Sequence, residues 1–228
     1  MVDVLKPSFS WGRAMSERCM MYIDGYNFYY AIKRNAATTP IYLGWCDFSA
    51  LARQFMLPDG AVLEGIKYFT APVGRYGASG GPLGGEAARQ QVWLHALSTI
   101  RGLQVIEGWF AGDGTDPRSR REKETDVNIA ITVVIDAARE RFDRAILLTG
   151  DRDQRPTVRA IAHEFGKRAD VWVSPNQEVG FWRAAEAYGG VRVRTVSRTM
   201  LQKSRLPEKL TKSGKAIEAP KIWRAPAK

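Results

Sequence analysis

The chain has 228 residues, of which 45% are hydrophobic and 11% aromatic, and it carries a formal net charge of +10. This length and composition predict a soluble protein with one sizeable core. No apolar run reaches the roughly 18 residues that a bilayer span needs, and the first 16 residues lack the apolar stretch of a signal peptide. Two cysteines and two histidines do not suggest a disulfide framework or a zinc site, which indicates a cytoplasmic protein.

Apolar runs of strand length alternate with helical stretches along the chain. The predicted strands are residues 19–23, 62–70, 103–110, 144–149, 171–174 and 191–196, and the main predicted helices are 27–34, 86–100 and 122–140. Strands that alternate with helices are joined by right-handed crossovers and form a parallel sheet. The sequence therefore predicts an α/β fold, with a parallel sheet flanked by helices.

A glycine-rich segment follows the second predicted strand. Residues 73–85 contain six glycines, but they lack the Gly-Lys-Ser/Thr ending of a P-loop and the regular spacing of a dinucleotide-binding loop. We therefore predict a mobile connection here. If this segment lies at the same sheet edge as the acids described next, Arg75 and Tyr76 could touch a nucleic acid strand.

Aspartates stand where predicted strands end. Asp24 follows the first strand, and Asp126 lies in the first turn or so of the helix at 122–140. Asp151 and Asp153 follow the strand at 144–149. If the two strands are central neighbours in the sheet, these carboxylates converge where the strand order reverses. A single such aspartate is often only a turn former or a helix cap, but four together favour a shared site.

A group of carboxylates suits a hard divalent cation. Mg²⁺ and Mn²⁺ prefer oxygen ligands, and Mg²⁺ usually takes one or two carboxylates and keeps waters and substrate phosphate oxygens for the rest. A bound cation lowers the pKa of a water and stabilises the charge that builds during phosphodiester displacement. The acids therefore predict a Mg²⁺ or Mn²⁺ site that acts on phosphates.

Positive charge surrounds this predicted site unevenly. Four basic residues lie just before Asp126, namely Arg118, Arg120, Arg121 and Lys123. Basic side chains beside an acidic metal site would hold the backbone of a nucleic acid that the acids alone would repel. This placement favours RNA, or DNA, as the bound polyanion.

The C-terminal residues carry nearly all of the net charge. Residues 192–228 hold eleven lysines and arginines against two glutamates, a net of +9 out of the chain's +10. This segment contains three prolines and few large apolar residues after Leu210, which predicts a flexible tail that is disordered or only locally ordered. The tail could be an electrostatic arm for RNA or DNA phosphates, or only a solvated terminus.

Three short blocks occur in order: Tyr22-Ile-Asp-Gly-Tyr-Asn27, Lys123-Glu-Thr-Asp-Val-Asn-Ile-Ala130 and Leu148-Thr-Gly-Asp-Arg-Asp153. In order and separation they resemble the NYN domain, a branch of the PIN-like nucleases, over roughly residues 18–197. The resemblance implies a Rossmann-like parallel sheet with an acidic, Mg²⁺- or Mn²⁺-dependent RNase site. It divides the chain into an N-terminal extension at 1–17, the NYN domain at 18–197 and the basic tail at 198–228.

The resemblance also implies roles for single positions. The residues that look like the metal-binding acids are Asp24, Asp126, Asp151 and Asp153, and Asn27 looks like the polar partner beside the first. The family usually has a small residue between the two late aspartates and an aromatic or apolar residue after them, where this chain has Arg152 and Gln154. Arg152 could meet a phosphate, or it could pair with the acids and weaken metal binding.

Other functions stay open at this point. A small-molecule phosphohydrolase of the haloacid-dehalogenase type would need a second acid two positions after Asp24, where this chain has Tyr26. A non-catalytic RNA-binding or assembly module would keep the acidic fold without turnover. A homo-oligomer is also open. Asp136 could support the metal site from the same helix as Asp126, or it could lie at the surface or pair with Arg139.

Overall fold

The computed structural model describes residues 16–56, 60–72, 85–111, 121–175 and 177–226. Within them the strands are β1 (Arg18–Asp24), β2 (Val62–Thr70), β3 (Leu103–Glu107), β4 (Trp109–Ala111), β5 (Arg121–Lys123), β6 (Arg144–Leu148), β7 (Arg168–Val173), β8 (Val191–Thr195), β9 (Lys209–Lys212) and β10 (Lys215–Glu218). The α-helices are α1 (Gly25–Arg34), α2 (Phe48–Met56), α3 (Gly85–Leu97), α4 (Thr125–Ala138), α5 (Arg155–His163), α6 (Gly180–Arg183) and α7 (Arg198–Lys203). None of these helices is long and apolar enough to cross a membrane.

Six parallel strands form the main sheet, in the order β3-β2-β1-β6-β7-β8. The chain first builds outward from β1 through β2 to β3, and later builds outward on the other side from β6 to β8. The strand order therefore reverses between β1 and β6, where ligands of open α/β sheets bind. In the register of this pair Ile23 lies opposite Leu148, so both strands end at the same level.

Buried side chains cover both faces of the sheet. Along β1 the side chains alternate between the faces, so Met21 and Ile23 join one core cluster and Tyr22 joins the other. Helices α1, α2 and α3 pack on the first face, and α4, α5 and α6 pack on the second. This three-layer arrangement confirms the predicted α/β fold.

Two predicted elements differ from the structure by more than a shift of their ends. The strand predicted at 103–110 is divided, because β3 pairs in the main sheet while β4 pairs with β5 in a separate antiparallel ladder. The helix predicted at 122–140 begins only at Thr125. Residues 121–123 are used in β5, and Glu124 has a left-handed backbone conformation with a φ of 72°. Residues 73–84 of the glycine-rich segment lie outside the described part of the chain.

The C-terminal segment differs from the predicted flexible tail, since residues 198–226 fold against the domain. Helix α7 is followed by a hairpin of β9 and β10, and the Trp223 side chain is only 6% exposed. Trp223 packs against Trp45 and Trp93 with ring centroids 5.7 and 5.8 Å apart. Trp45 Nε1 donates a hydrogen bond of 2.9 Å to Pro207 O. The few apolar residues of this basic segment are placed to cover the aromatic core, which composition does not reveal.

Candidate metal centre

Three carboxylates meet where the strand order reverses. Asp24 ends β1, Asp151 follows β6, and Asp126 lies in the first turn of α4. One oxygen from each side chain lies within 4.8 Å of an oxygen from each of the other two. Asp24 is buried, Asp151 is half-buried and Asp126 is exposed, so the group is accessible to solvent at Asp126. The structure therefore brings together three of the four aspartates expected from the sequence.

Asp24 is held in place by both ends of its carboxylate. Its Oδ1 accepts a hydrogen bond from Asn27 N at 2.9 Å, so Asp24 is the N-cap of α1. Its Oδ2 accepts a hydrogen bond from Thr149 Oγ1 at 3.1 Å. The next residue must be small, because a Cβ on Gly25 would lie 2.5 Å from the ring of Tyr68. The Asp24 side chain can therefore cap α1 and also belong to the acidic group.

Thr149 links the ends of the two central strands. Besides donating to Asp24, its Oγ1 accepts a hydrogen bond from Asp151 N at 3.0 Å. Asp151 in turn caps a short 3₁₀ helix, Arg152–Gln154, by accepting from Asp153 N at 2.9 Å. Thr149 was not predicted from the sequence. Its position as a hydroxyl residue between a strand and a Gly-Asp turn could have indicated this role.

Asn27 connects α1 to the turn after β6. Its Oδ1 accepts hydrogen bonds from Gly150 N at 2.8 Å and from Gln177 Nε2 at 2.9 Å. The Oε1 of Gln177 accepts from Ser174 N at 3.1 Å, so a residue beyond β7 also braces this turn. Asn27 thus positions the backbone that carries Asp151. Gln177 was missed because no motif in the sequence marks it.

Gln154 fastens the 3₁₀ helix to α4. Its side chain is 1% exposed, and its Nε2 donates a hydrogen bond of 3.0 Å to Asp126 O. Thr157 Oγ1 donates to Gln154 Oε1 at 3.0 Å. The glutamine at this position, which departs from the resembled family, therefore holds the backbone of Asp126 in place beside Asp151.

The carboxyl of Asp126 has a raised pKa. Burial, and then the charges of Asp151 and Asp153, raise the pKa of Asp126 above its ordinary value. Carboxylates that repel each other favour a divalent cation, and oxygen donors are the ligands that Mg²⁺ and Mn²⁺ prefer. The donor set and its electrostatics therefore fit a divalent metal ion.

Asp153 lies at the rim of this group. It is exposed, its backbone N–H donates to Asp151, and its charge acts on Asp126. It is not one of the three residues whose carboxylate oxygens lie within 4.8 Å of one another. The sequence placed it with the others because it follows the same strand, but the 3₁₀ turn separates the two late aspartates.

The basic residues expected around the site are only partly described. Arg118 and Arg120 lie outside the described residues, and Arg121 and Lys123 are the first and last residues of β5. Arg152 pairs with Glu178, and its guanidinium lies 5.0 Å from the centre of the Phe181 ring. Arg152 therefore has a partner other than the acidic group.

Asp136 lies in none of the three places expected from the sequence. It is buried beneath α4, where Lys67 Nζ donates to its Oδ2 at 2.5 Å and the Tyr22 hydroxyl donates to the same oxygen at 2.9 Å. Arg141 Nη1 donates to its Oδ1 at 3.0 Å. Burial and the charge of Asp136 raise the pKa of Tyr22, which keeps its hydroxyl a donor. The charge of Asp136 is thus compensated within the core by Lys67 and Arg141.

Comparison with known proteins identifies the family. The chain is 30% identical over 178 residues to 6-hydroxy-3-succinoylpyridine 3-monooxygenase HspA of Pseudomonas putida (strain DSM 28022 / S16), a match that covers 63% of this chain and 55% of that protein. The chain therefore spans about half the length of this curated relative. A crystal structure of a protein of unknown function, VPA0982 from Vibrio parahaemolyticus RIMD 2210633, has a similar fold, with a TM-score of 0.53 and 16% identity over 82% of this chain and 96% of that one. The NYN domain model matches residues 18–188, so the chain belongs to the NYN domain family, a family of PIN-like nucleases.

Proposed function

We propose that the protein is a Mg²⁺- or Mn²⁺-dependent ribonuclease that hydrolyses phosphodiester bonds. The observation that carries this proposal is the convergence of Asp24, Asp126 and Asp151 at the reversal of strand order in an NYN domain. A nuclease of this kind needs a cation between its acids and the phosphate, since the acids alone would repel the substrate. RNA is the expected substrate from the family, with DNA as the alternative.

Each residue has a part that follows from its position. Asp24, Asp126 and Asp151 would hold the cation, which when bound lowers the pKa of a water and stabilises the charge on the scissile phosphate. Asp153, at the rim, would add negative charge that strengthens cation binding. Asn27 would keep Asp24 and the turn before Asp151 in register through its contacts to both.

Basic side chains would hold the substrate's backbone without reading its bases. The proposed residues are Arg118, Arg120, Arg121 and Lys123. Arg152 remains a proposed phosphate contact, which would require it to exchange its pairing with Glu178 for a phosphate. That pairing directs Arg152 to Glu178 instead of the aspartates, which supports the catalytic proposal over the non-catalytic module.

The test is cleavage of labelled single-stranded RNA by the purified protein in Mg²⁺, in Mn²⁺ and in EDTA. Asp151→Asn should abolish the activity, because it removes one charge from the acidic group while keeping the side chain's shape. Asp47→Asn is the matched control. Asp47 caps α2 by accepting from Ser49 N at 2.9 Å, and asparagine is an equally good N-cap.

Metal-dependent cleavage that Asp151→Asn loses and Asp47→Asn keeps would establish the ribonuclease. RNA binding without cleavage in either metal would replace it with the non-catalytic module. A parallel assay on single-stranded DNA of the same sequence decides the sugar preference. The cytoplasmic location and the oligomeric state stay predictions.

A further inference from the structure

A cleft lined with aromatic side chains opens beside the metal centre. Its wall begins at Gly25 and Tyr26, the two residues that directly follow Asp24. Helix α1, the 3₁₀ helix Ile41–Gly44, α3 and Trp223 enclose about 690 Å³ of space, part of which is open solvent. The start of α1 therefore contributes both to the acidic group and to this cleft.

The inner wall of the cleft is rigid and aromatic. Tyr68, Trp93 and Trp223 are all buried, and Trp93 Nε1 donates a hydrogen bond of 3.0 Å to the Tyr68 hydroxyl. The Trp93 and Trp223 rings lie 5.8 Å apart between centroids. These packed rings form a rigid apolar floor, and the half-buried rings of Tyr26 and Tyr29 supply the accessible aromatic surface on which a planar ring can stack.

The side of the cleft nearest the metal centre is polar. The Tyr26 hydroxyl donates to Ala71 O at 2.7 Å, and Gln90 Nε2 donates to the same oxygen at 2.9 Å. These bonds hold the Tyr26 ring in position at the mouth. The cleft therefore combines apolar stacking surface with a few polar groups, as small-ligand sites usually do.

Positive charge flanks the mouth of the cleft. Arg89 on α3 lines it together with Glu86, and on α1 the Lys33 amine lies 5.4 Å from the centre of the Tyr29 ring. The next aromatic along α1, Tyr30, is stacked near Tyr26 with centroids 6.0 Å apart, and it carries Arg34 over its face at 5.5 Å. Aromatic faces interleaved with cations bind the bases and phosphates of single strands.

We propose that this cleft holds one unpaired base of the nucleic acid strand whose phosphate lies at the metal centre. The proposal rests on the proposed function for the position of that phosphate. The occupant follows from the rings and the charges. The aromatic surface calls for a planar ring, the cations on α1 and α3 outnumber Glu86 and call for an anion attached to that ring, and a nucleotide supplies both. Since a paired base cannot enter the cleft, the protein should bind single strands better than duplexes.

The test measures base binding without cleavage. A short RNA that carries the fluorescent base 2-aminopurine is titrated with protein in EDTA, next to the same RNA with an abasic site at that position. Stacking quenches the fluorescence of 2-aminopurine. We expect quenching, and about tenfold tighter binding of the RNA that keeps its base, the range that a base stacked on an aromatic residue provides.

Two variants change the cleft itself. Gly44→Leu fills it, because a Cβ on Gly44 would lie 3.7 Å from Trp223 Nε1, which is an ordinary contact that leaves the backbone undisturbed. Tyr29→Ala removes part of the wall and creates no overcrowding. Ala37→Leu adds the same side chain at an exposed position just after α1 and is the matched control.

Both cleft variants should lose the difference between the base-containing and abasic RNAs, while Ala37→Leu keeps it. Thermal unfolding of each variant confirms that it is folded. Equal binding of both RNAs by the wild type would overturn the proposal, as would quenching that Gly44→Leu and Tyr29→Ala both retain.

The outcome separates this proposal from the ribonuclease. Metal-dependent cleavage with no base-dependent binding would sink the cleft assignment and leave the nuclease intact. Base-dependent binding with no cleavage in either metal would retain the cleft as a single-strand site and reject the ribonuclease.

Discussion

Helix α4 carries an aspartate near each end, and the two have opposite surroundings. Asp126, in the first turn, is exposed and faces two other carboxylates. Asp136, ten residues later, is 1% exposed and pairs with Lys67 and Arg141. Ten residues of helix span about 15 Å, so one helix holds a group of like charges at one end and a neutralised charge at the other.

This contrast separates a structural acid from a candidate cation ligand. A buried charge is tolerated where the protein pairs it and satisfies its hydrogen bonds, as Lys67 and Tyr22 do for Asp136. At Asp126, desolvation and then the neighbouring acids raise the pKa of the carboxyl, and a cation would relieve the repulsion between the acids. The number of carboxylates that converge therefore marks a candidate metal centre better than the burial of any one of them.

The largest expected effect is on catalysis. Asp126→Asn should lower cleavage about 10³-fold, because metal charge stabilisation contributes several kcal/mol and each 1.36 kcal/mol is a factor of ten. The free energy of unfolding should not fall. Single-turnover cleavage rates and urea unfolding measure the two quantities. Asp136→Asn, assayed on its folded fraction, should keep its rate within about threefold, and equal losses in both variants would break the comparison.

The second expected effect is on stability, and here the larger loss should come from Asp136 instead of Asp126. Asp136→Asn should lower the free energy of unfolding by about 3 kcal/mol, because Lys67 would keep a buried charge without its partner. Urea unfolding monitored by circular dichroism gives the value. The double variant Asp136→Leu with Lys67→Met should recover most of the loss, since replacing a buried pair by apolar side chains is often neutral. Failure of this recovery would mean that Tyr22 and Arg141 dominate the network.

Stabilisation by the metal ion should depend on the aspartates that meet at the start of α4 and not on Asp136. Mg²⁺ or Mn²⁺ at 100 times its dissociation constant should raise the free energy of unfolding by about 2.7 kcal/mol. Asp151→Asn should lose this increment, whereas Asp136→Asn should retain it. Thermal unfolding across a metal titration, with Ca²⁺ as a competing hard cation, measures it. An increment that survives in Asp151→Asn would place the ion elsewhere.

The smallest effect is on pH dependence. Since the pKa of Asp126 is raised in the folded protein, its protonated form is favoured there, and its contribution to stability is lost as the pH rises from 3.8 through the raised pKa. Without metal, the free energy of unfolding of Asp126→Asn should therefore rise relative to that of the wild type between pH 3 and 7. The rise should be less than about 1 kcal/mol because the side chain is exposed.

Asp143, just beyond the other end of α4, is a control for which the pH dependence of stability should have the opposite sign. Its hydrogen bonds from Arg18 lower the pKa of its carboxyl to about 2, so its contribution is present above 3.8 and is lost as the pH falls through about 2. Asp143→Asn should be less stable than the wild type at pH 6, and this deficit should shrink towards pH 2. Urea midpoints over this range, compared with those of Asp126→Asn, test both signs. Curves of the same sign for the two variants would contradict the assignment.

Much of the fold and part of the site could be predicted from local sequence. The apolar run before Asp24 and the one before Gly150 each end at a turn residue, so the ends of β1 and β6 follow from local chemistry. Because the carboxyl ends of parallel strands lie at one edge, the meeting of Asp24 with Asp151 follows from these two ends together with strand adjacency. The place of Asp126 could be predicted from the additional assumption that its helix begins near this edge.

The rest depended on contacts between distant parts of the chain. Asp153 was grouped with Asp151 by spacing, but a 3₁₀ turn places it at the rim. The partner of Arg152 is Glu178, and the brace of Asn27 is Gln177, both from beyond β7. Neither pairing has a local signal, because each depends on how the segment after β7 returns over the end of β6.

The sequence by itself thus determined the alternation of strands and helices, the acids at the strand ends and the membership of a nuclease family, since these depend on local periodicity and short motifs. Only the tertiary structure decided which acids converge, that Asp136 is neutralised by Lys67, and that the basic C-terminal segment packs Trp223 into the core. Those outcomes depend on burial and charge pairing between residues far apart in the chain. Composition averages over such contacts, and only the folded arrangement specifies them.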